Sequence, residues 1–334
     1  MPQQTCSDQE FIELWKQIES PTGMAKALGV DARNIMRRRN YLEGKYNITL
    51  ATNNPSKRVI NFDKEVAKQK LAEKLEETRH SVRRGTVIEN GTVVVFSDAH
   101  FYPEDYSTAF RALLTFIKAH KPEVIINNGD AFDGASISRH PRIGWDSKPS
   151  VIEELKAVQD HLSAIEEASV HKSNLIWTLG NHDARFENFL AAQAPQYEGV
   201  QGFTLKDHFP LWQPCWSFWI NEDTVIKHRW KGGRYAGSNN TTFAGTSIVT
   251  GHTHQLKVEP FTDYKGTRYG VQTGCLANPM GDQFSDYTED NPKDWRSGFA
   301  VLTFVDGKLL PPELVQVWNE DKGEVTFRGK IWTV

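Results

Sequence analysis

Five short apolar runs in this chain each stop on a group of Asp, His or Asn residues, and this pattern constrains the fold more than any other feature. Val93-Val94-Val95-Phe96 ends in Ser97-Asp98-Ala99-His100. Val124-Ile125-Ile126 ends in Asn127-Asn128-Gly129-Asp130, with Asp133-Gly134 just beyond. Leu175-Ile176-Trp177 leads to Gly180-Asn181-His182-Asp183, Val225-Ile226-Lys227 to His228, and Ile248-Val249-Thr250 to Gly251-His252-Thr253-His254. Runs of this length, rich in β-branched residues, read as buried strands. Residues 107–120 and 151–170 have helical period between them, so strands alternate with helices and the core sheet is expected to be largely parallel. In such sheets, ligands sit beyond the carboxyl ends of the strands, where loops converge.

The five strand ends would deliver two Asp, four His and one Asn to one rim. Carboxylate and amide oxygens with neutral imidazoles suit manganese, iron or zinc, and no cysteine lies nearby to make a thiolate site. One ion does not need so many ligands. Two ions about 3.5–4 Å apart do, with one Asp bridging them, and that is an arrangement of hydrolytic phosphoryl chemistry. Glycine before the aspartate, the asparagine and the histidine lets the backbone turn without a side chain crowding the ions.

The rest of the 334 residues narrows the class. With 39% hydrophobic and 24% charged residues, the chain is neither a disordered tail nor short of a core. No run approaches the ~20 apolar residues of a membrane helix, and the first residues lack a signal peptide's charged and apolar regions. Cys6, Cys215 and Cys275 make neither a disulfide scaffold nor a close zinc cluster, so reducing cytoplasm is expected. After residue 210 strands dominate, over 216–220, 224–228, 248–250, 269–272, 299–304, 314–318 and 325–334.

The first 90 residues hold 16 Lys and Arg against 12 Asp and Glu, whereas the remainder hold 23 against 30. Residues 8–46 read as a small helical unit, 47–61 as a polar linker and 63–84 as a charged helix with a thin apolar stripe, a candidate for pairing that leaves the oligomeric state open. Ala25, Gly29 and Ile35 are spaced as in a helix-turn-helix: a small residue where helices touch, glycine in the turn, an aliphatic in the second helix. That second helix would expose Arg33, Asn34, Arg37, Arg38 and Asn40, side chains that read base edges or grip phosphates. Residues 21–60 carry 8 Lys and Arg against 2 Asp and Glu, so the positive excess concentrates there.

Together, Asp98-X-His100, Gly129-Asp130-X-X-Asp133-Gly134, Gly180-Asn181-His182-Asp183, His228 and Gly251-His252-Thr253-His254 resemble the signature blocks of the calcineurin-like metallophosphoesterases. The resemblance covers about residues 91–280 and is nearest to phage-type members. It implies an α/β fold, a two-sheet αββα sandwich over 91–334, here preceded by the small all-α helix-turn-helix-like domain (1–50) and the linker with its charged helix (51–90). It further implies one metal held by Asp98, His100, Asp130 and His254, and a second by Asp130, Asn181, His228 and His252. His182 matches the family's non-ligand histidine beside the leaving group, with Asp183 expected to orient it. One departure stands out: His228 is followed by Arg229-Trp230, where many members have glycine.

The expected activity is a dinuclear-metal phosphodiesterase, a nuclease on DNA using a metal-bridged hydroxide with His182 assisting the leaving group. Manganese is the favoured metal, with iron, zinc, nickel and magnesium as alternatives. The other reading is a phosphomonoesterase acting on protein or nucleotide, with the front unit docking protein. Arg139, His140 and Arg142, and also Arg185, are candidates to hold the substrate phosphate. Arg229 and Lys231 are further candidates, while Trp230, Tyr235, Trp145 and Phe186 are candidates to stack on bases. Nucleic acid is the expected partner and no membrane is. The expected location is the cytoplasm, the host's if the gene is a phage's.

Overall fold

Ser7 and Glu10 cap each other's backbone at the start of α1 (Asp8–Ile18), in the smaller of two compact units, residues 1–61 and 62–334. The computed structural model describes residues 6–52, 62–77, 83–140, 148–169, 173–284 and 291–334. Ser20 caps α2 (Pro21–Leu28), where Pro21 takes the first-turn position that needs no N–H. Gly29 ends that helix at a φ of +65°, a left-handed turn that glycine adopts without steric cost, and Asp31 caps α3 (Ala32–Tyr46). Phe11, Trp15, Met24, Ile35, Leu42 and Leu50 form the core of this unit. Arg38 lies across it: Nη2 donates to the Cys6 carbonyl at 2.7 Å and reaches Asp8 at 3.3 Å, with the guanidinium 4.9 Å from the Phe11 ring.

The larger unit opens with α4 (Lys64–Glu77), β1 (Arg83–Thr86), β2 (Gly91–Phe96), α5 (Thr108–His120), β3 (Val124–Asn127), α6 (Val151–Ala168), β4 (Asn174–Thr178) and α7 (Asp183–Gln193). There follow α8 (Leu205–His208), β5 (Gln213–Cys215), β6 (Ser217–Ile220), β7 (Thr224–Ile226), α9 (Ala236–Ala244) and β8 (Ser247–Thr250). The last strands are β9 (Leu256–Asp263), β10 (Gly266–Thr273), β11 (Gly298–Val305), β12 (Lys308–Leu309), β13 (Glu313–Asn319), β14 (Glu324–Phe327) and β15 (Lys330–Thr333).

Two sheets result. One runs β1-β6-β7-β8-β10-β9, the other β15-β14-β13-β11-β2-β3-β4-β5, with β12 paired to β11. Strands β2 to β5 are parallel, and β11, β13, β14 and β15 add antiparallel neighbours at one side. Because successive strand residues point to opposite faces, β2 divides its side chains between two layers. Val93 and Val95 meet Phe218, Ile226, Val249 and Val271 of the other sheet, while Val94 and Phe96 meet Phe110, Phe116, Leu155 and Leu162 of α5 and α6. On the second sheet Val271 points into the same interlayer core, and Gly270 beside it is close against Gly237 of α9. The order is therefore helices, sheet, sheet, helix, the αββα sandwich expected.

The body also begins before residue 91. Arg83–Thr86, whose two arginines fall at the end of the expected charged helix, instead pairs in parallel with β6, and Leu71 of α4 is buried near Gly85. Four residues with two arginines carry too weak an apolar signal to read as a strand; the neighbouring strand supplies the pairing. The antiparallel hairpin of β9 and β10 and helices α7 and α9 likewise follow from packing rather than from a strong local pattern.

Candidate metal centre

The parallel pairing of β2 and β3 continues past both strands and aligns the first two loops. Asp98 N–H donates to the Gly129 carbonyl at 2.9 Å, His100 N–H to Asp130 at 2.9 Å and Phe101 N–H to Ala131 at 3.0 Å. Asp98, His100, Asp130, His252 and His254 all have left-handed backbones, with φ between 40° and 69°. Such conformations cost non-glycine residues about 1–3 kcal/mol and persist where surrounding structure enforces them. They turn five side chains inward from loops that would otherwise alternate outward. A methyl group on Gly180 would overlap Asp130 Oδ1, and one on Gly251 would sit 2.6 Å from Asp98 Oδ2. Neither position admits a larger residue.

Hydrogen bonds set the protonation of the rim. His228 Nδ1 lies 2.7 Å from the Asn128 carbonyl, which only accepts, so Nδ1 carries the proton and Nε2 offers a lone pair. That lone pair faces Asp130 Oδ2 at 3.0 Å without a hydrogen bond. A lone pair facing a carboxylate needs a cation. Burial opposes charge on this imidazole, but Asp130 and Asp98 outweigh it and raise its pKa to about 9, so near neutrality a proton fills that place unless a metal ion does. His100 repeats the arrangement: Nδ1 is 3.0 Å from Asp133 Oδ1, and Nε2 is buried with no partner. Asn181 Oδ1 is buried and unpaired as well. His254 Nε2 lies 3.3 Å from Asp98 Oδ1, and Asp98, fully buried, also accepts from Ser97 and from the His252 N–H. The ligand atoms of Asp98, His100 and His254 form one close triad and those of Asp130, His228 and His252 another. Buried unpaired polar atoms are rare in folded proteins, and here those of His100 and His228 belong to two close carboxylate–histidine groups. The donor set fits two divalent cations.

A third close group, His100, Asp133 and His182, has a different character. Asp133 Oδ1 accepts from Nδ1 of both histidines, at 3.0 and 2.6 Å. Its lone pairs are committed to protons, so this is a hydrogen-bonded cluster rather than an ion site. Arg185 closes it, donating to the Asp133 carbonyl at 2.8 Å and placing Nη2 3.3 Å from His182 Nε2. Burial disfavours charge on His182, yet the hydrogen bond and charge of Asp133, with Asp130, hold its pKa above the usual range.

Asp183 does not orient His182. Its carboxylate accepts the N–H groups of Asp130, Ala131, Phe132 and Gly180 and the Trp177 indole, at 2.8–3.1 Å. Five donors leave it no capacity for the imidazole. It fixes the Asp130 loop instead, while Asp133, in the same motif as the bridging candidate, takes the role expected of it. The signal was present in the Asp130-X-X-Asp133 spacing, but adjacency to His182 pointed to the wrong acid.

Residues 91–256 match the calcineurin-like phosphoesterase family. The chain is also 28% identical over 273 residues to the gene 54 protein of Mycobacterium phage L5, covering 72% of this chain and 98% of that protein. It is 27% identical over 276 residues to the gene 54 protein of Mycobacterium phage D29, with the same coverage. Two solved structures are distant likenesses. Vps29 of Chaetomium thermophilum has 10% identity and a TM-score of 0.38 over 72% of this chain and 98% of its own. YfcE, a phosphoesterase from E. coli, has 17% and 0.32 over 66% and 97%. At these scores neither bears on function.

Beyond the segment matched to the calcineurin-like phosphoesterases, two aromatics that the sequence reading did not single out close one side of the centre. Trp295 lies 4.4 Å from the His254 ring, and Phe284 lies 5.3 Å from His100 and 5.6 Å from His254. They belong to a connection between strands, where no periodicity marks them. Among the expected substrate contacts, only Arg185 reaches the centre through described hydrogen bonds. Arg139 and His140 are exposed at the end of a described loop, and Arg142 and Trp145 lie outside the described residues. Phe186 is buried against Phe132 and belongs to the core rather than to a base-stacking surface. In the smaller unit Arg33, Asn34, Arg37 and Asn40 are exposed along α3, whereas Arg38 is committed to Cys6, Asp8 and Phe11 and is not free to read a base.

Proposed function

We propose that the protein is a divalent-metal phosphodiesterase that cleaves DNA. Buried, unpaired His100 Nε2 and His228 Nε2, each in a close carboxylate–histidine group, carry the hydrolytic part of that reading. Asp98, His100, Asp130 and His254 would hold one ion, and Asp130, Asn181, His228 and His252 the other. When bound, such a pair supplies activated water and neutralises charge on phosphoryl oxygens; manganese is the favoured occupant.

The chain's own residues supply the rest. Asp133 holds the proton on Nδ1 of His182, so Nε2 faces the crevice. Burial opposes charge on that imidazole, but Asp133 and Asp130 raise its pKa, which favours the form that can give a proton to the leaving oxygen. Arg185 beside it adds a positive charge for a phosphoryl oxygen. Delivery to DNA rests on α3, whose exposed Arg33, Asn34, Arg37 and Asn40 fall at helical spacing suited to a major groove. The gene 54 relatives from phages favour the host cytoplasm as the place of action.

The experiment sets plasmid DNA, a small chromogenic diester and a monoester side by side with manganese. Cleavage of DNA and diester is expected, falling about 100-fold or more in His182→Ala. Hydrolysis of monoesters alone, with phosphopeptide activity surviving deletion of the first 60 residues, would instead make it a phosphatase with a docking module.

A further inference from the structure

His228 is followed by an exposed loop in which cations and aromatic rings alternate. Trp230 is 45% exposed and Phe243, from α9, is 65% exposed, their rings 6.3 Å apart. Lys231 Nζ lies 4.7 Å from the Phe243 ring and 5.9 Å from Trp230, and Lys227 Nζ lies 5.6 Å from Trp230. Arg229 is exposed between His228 and Trp230.

The loop is fixed at both ends of this patch. The His228 carbonyl accepts the Gly251 N–H at 2.8 Å. Three residues on, the fully buried amide of Asn240 takes the Lys231 N–H at 2.8 Å and donates to the Lys231 carbonyl at 3.2 Å. A buried side chain devoted to both backbone groups of one exposed lysine holds the rings in place rather than leaving them to a free tip.

We propose that Trp230 and Phe243, with Arg229 and Lys231, form a platform for a single-stranded nucleic acid, stacking a base next to the phosphate at the metal centre. This deepens the diesterase reading and rests on it. Exposed ring faces interleaved with cations match a strand with unstacked bases and a charged backbone. A duplex keeps its bases stacked inside and would leave the rings uncovered. Trp230 is two residues from His228, at most about 7 Å along the chain, so the base it covers adjoins the scissile phosphate.

The test measures binding without turnover. Full-length, manganese-loaded protein carrying Arg33→Ala and Arg37→Ala, which removes the contribution of α3, is titrated with a phosphorothioate oligothymidylate of about ten nucleotides. Adding Trp230→Ala and Phe243→Ala should weaken binding about 5- to 100-fold, and Lys231→Glu alone should weaken it and flatten its salt dependence. Trp216→Ala, an exposed tryptophan elsewhere, should bind as its parent does. Unchanged binding in the ring variants, or an equal loss in Trp216→Ala, overturns the platform. Because no cleavage is read, failure of the nuclease reading would appear separately, as absent hydrolysis with the stacking loss intact.

Discussion

Oδ1 of Asp133 accepts the Nδ1 protons of both His182, at 2.6 Å, and His100, at 3.0 Å. One oxygen thereby sets the tautomer of a candidate ligand and of the candidate general acid, which explains why both rings present Nε2 to the same crevice. Such outer partners orient ligands and raise their basicity.

Asp133 and Asp183 are therefore expected to fail differently. Asp133→Asn should fold normally and lose about 10²–10⁴ in kcat, with the pH-rate profile displaced. Asp183→Asn puts an amide among five N–H donors and should cost about 3 kcal/mol or more of stability. Urea unfolding and steady-state kinetics on both variants decide the matter. A stable Asp183→Asn enzyme with lowered kcat, beside an unaffected Asp133→Asn, would reverse the two roles.

Gly180→Ala should expel metal. The added methyl overlaps Asp130 Oδ1 and lies 2.5 Å or less from atoms of that loop, so the carboxylate proposed to serve both ions must move. Gly44→Ala, with open space around it in α3, should leave metal content alone and add about 0.5–1 kcal/mol. Manganese per chain, measured by atomic absorption after dialysis, should fall only in the first. Full occupancy in Gly180→Ala would refute the shared position of Asp130.

Arginines of α3 divide into two kinds. Arg38→Ala should destabilise the smaller unit by about 1–3 kcal/mol, since it strips a hydrogen bond, an ion pair and a ring interaction. Arg33→Ala and Arg37→Ala should leave thermal stability unchanged, weaken duplex DNA binding and reduce the salt slope by about 1 for each phosphate no longer neutralised. Equal behaviour of all three would remove the distinction.

Glu154 links the same loop to pH. Buried on α6, it accepts the N–H groups of Gly134 and Ala135 at 2.7 and 3.0 Å. Burial, with the nearby charge of Asp133, raises its pKa from 4.5 to about 7 against the pull of those donors. A raised folded-state value means the native form holds the proton more tightly. Its contribution to stability is thus fully present below pH 4.5 and lost as pH rises through 7, by up to about 3 kcal/mol. Thermal unfolding in chelator from pH 5 to 8 should fall for the native chain and flatten in Glu154→Gln. Parallel curves would show that the proton is elsewhere.

Much of the centre was legible because strands announce themselves by apolar runs and chemistry collects at their carboxyl ends. Asp98, His100, Asp130, Asn181, His228, His252 and His254 were named from that rule and the family blocks, and the structure gathers Asp98, His100 and His254 into one close group and Asp130, His228 and His252 into another. Edge strand β1 and the aromatics Phe284 and Trp295 were not legible. A two-arginine strand becomes one only beside β6, and residues in a connection acquire neighbours only when the chain returns.

The sequence by itself determined which side-chain types leave which strand ends, and in what order, because that follows from local apolar pattern and chain position. Only the tertiary structure decided where those side chains point and which of them are already engaged. Left-handed backbone at Asp98, His100, Asp130, His252 and His254 turns them inward, and competition for N–H donors assigns Asp183 to the loop and Asp133 to His182. Arg38 is withdrawn from the recognition face by the same kind of engagement. A side chain's chemistry is local, but its free valences depend on partners from distant segments.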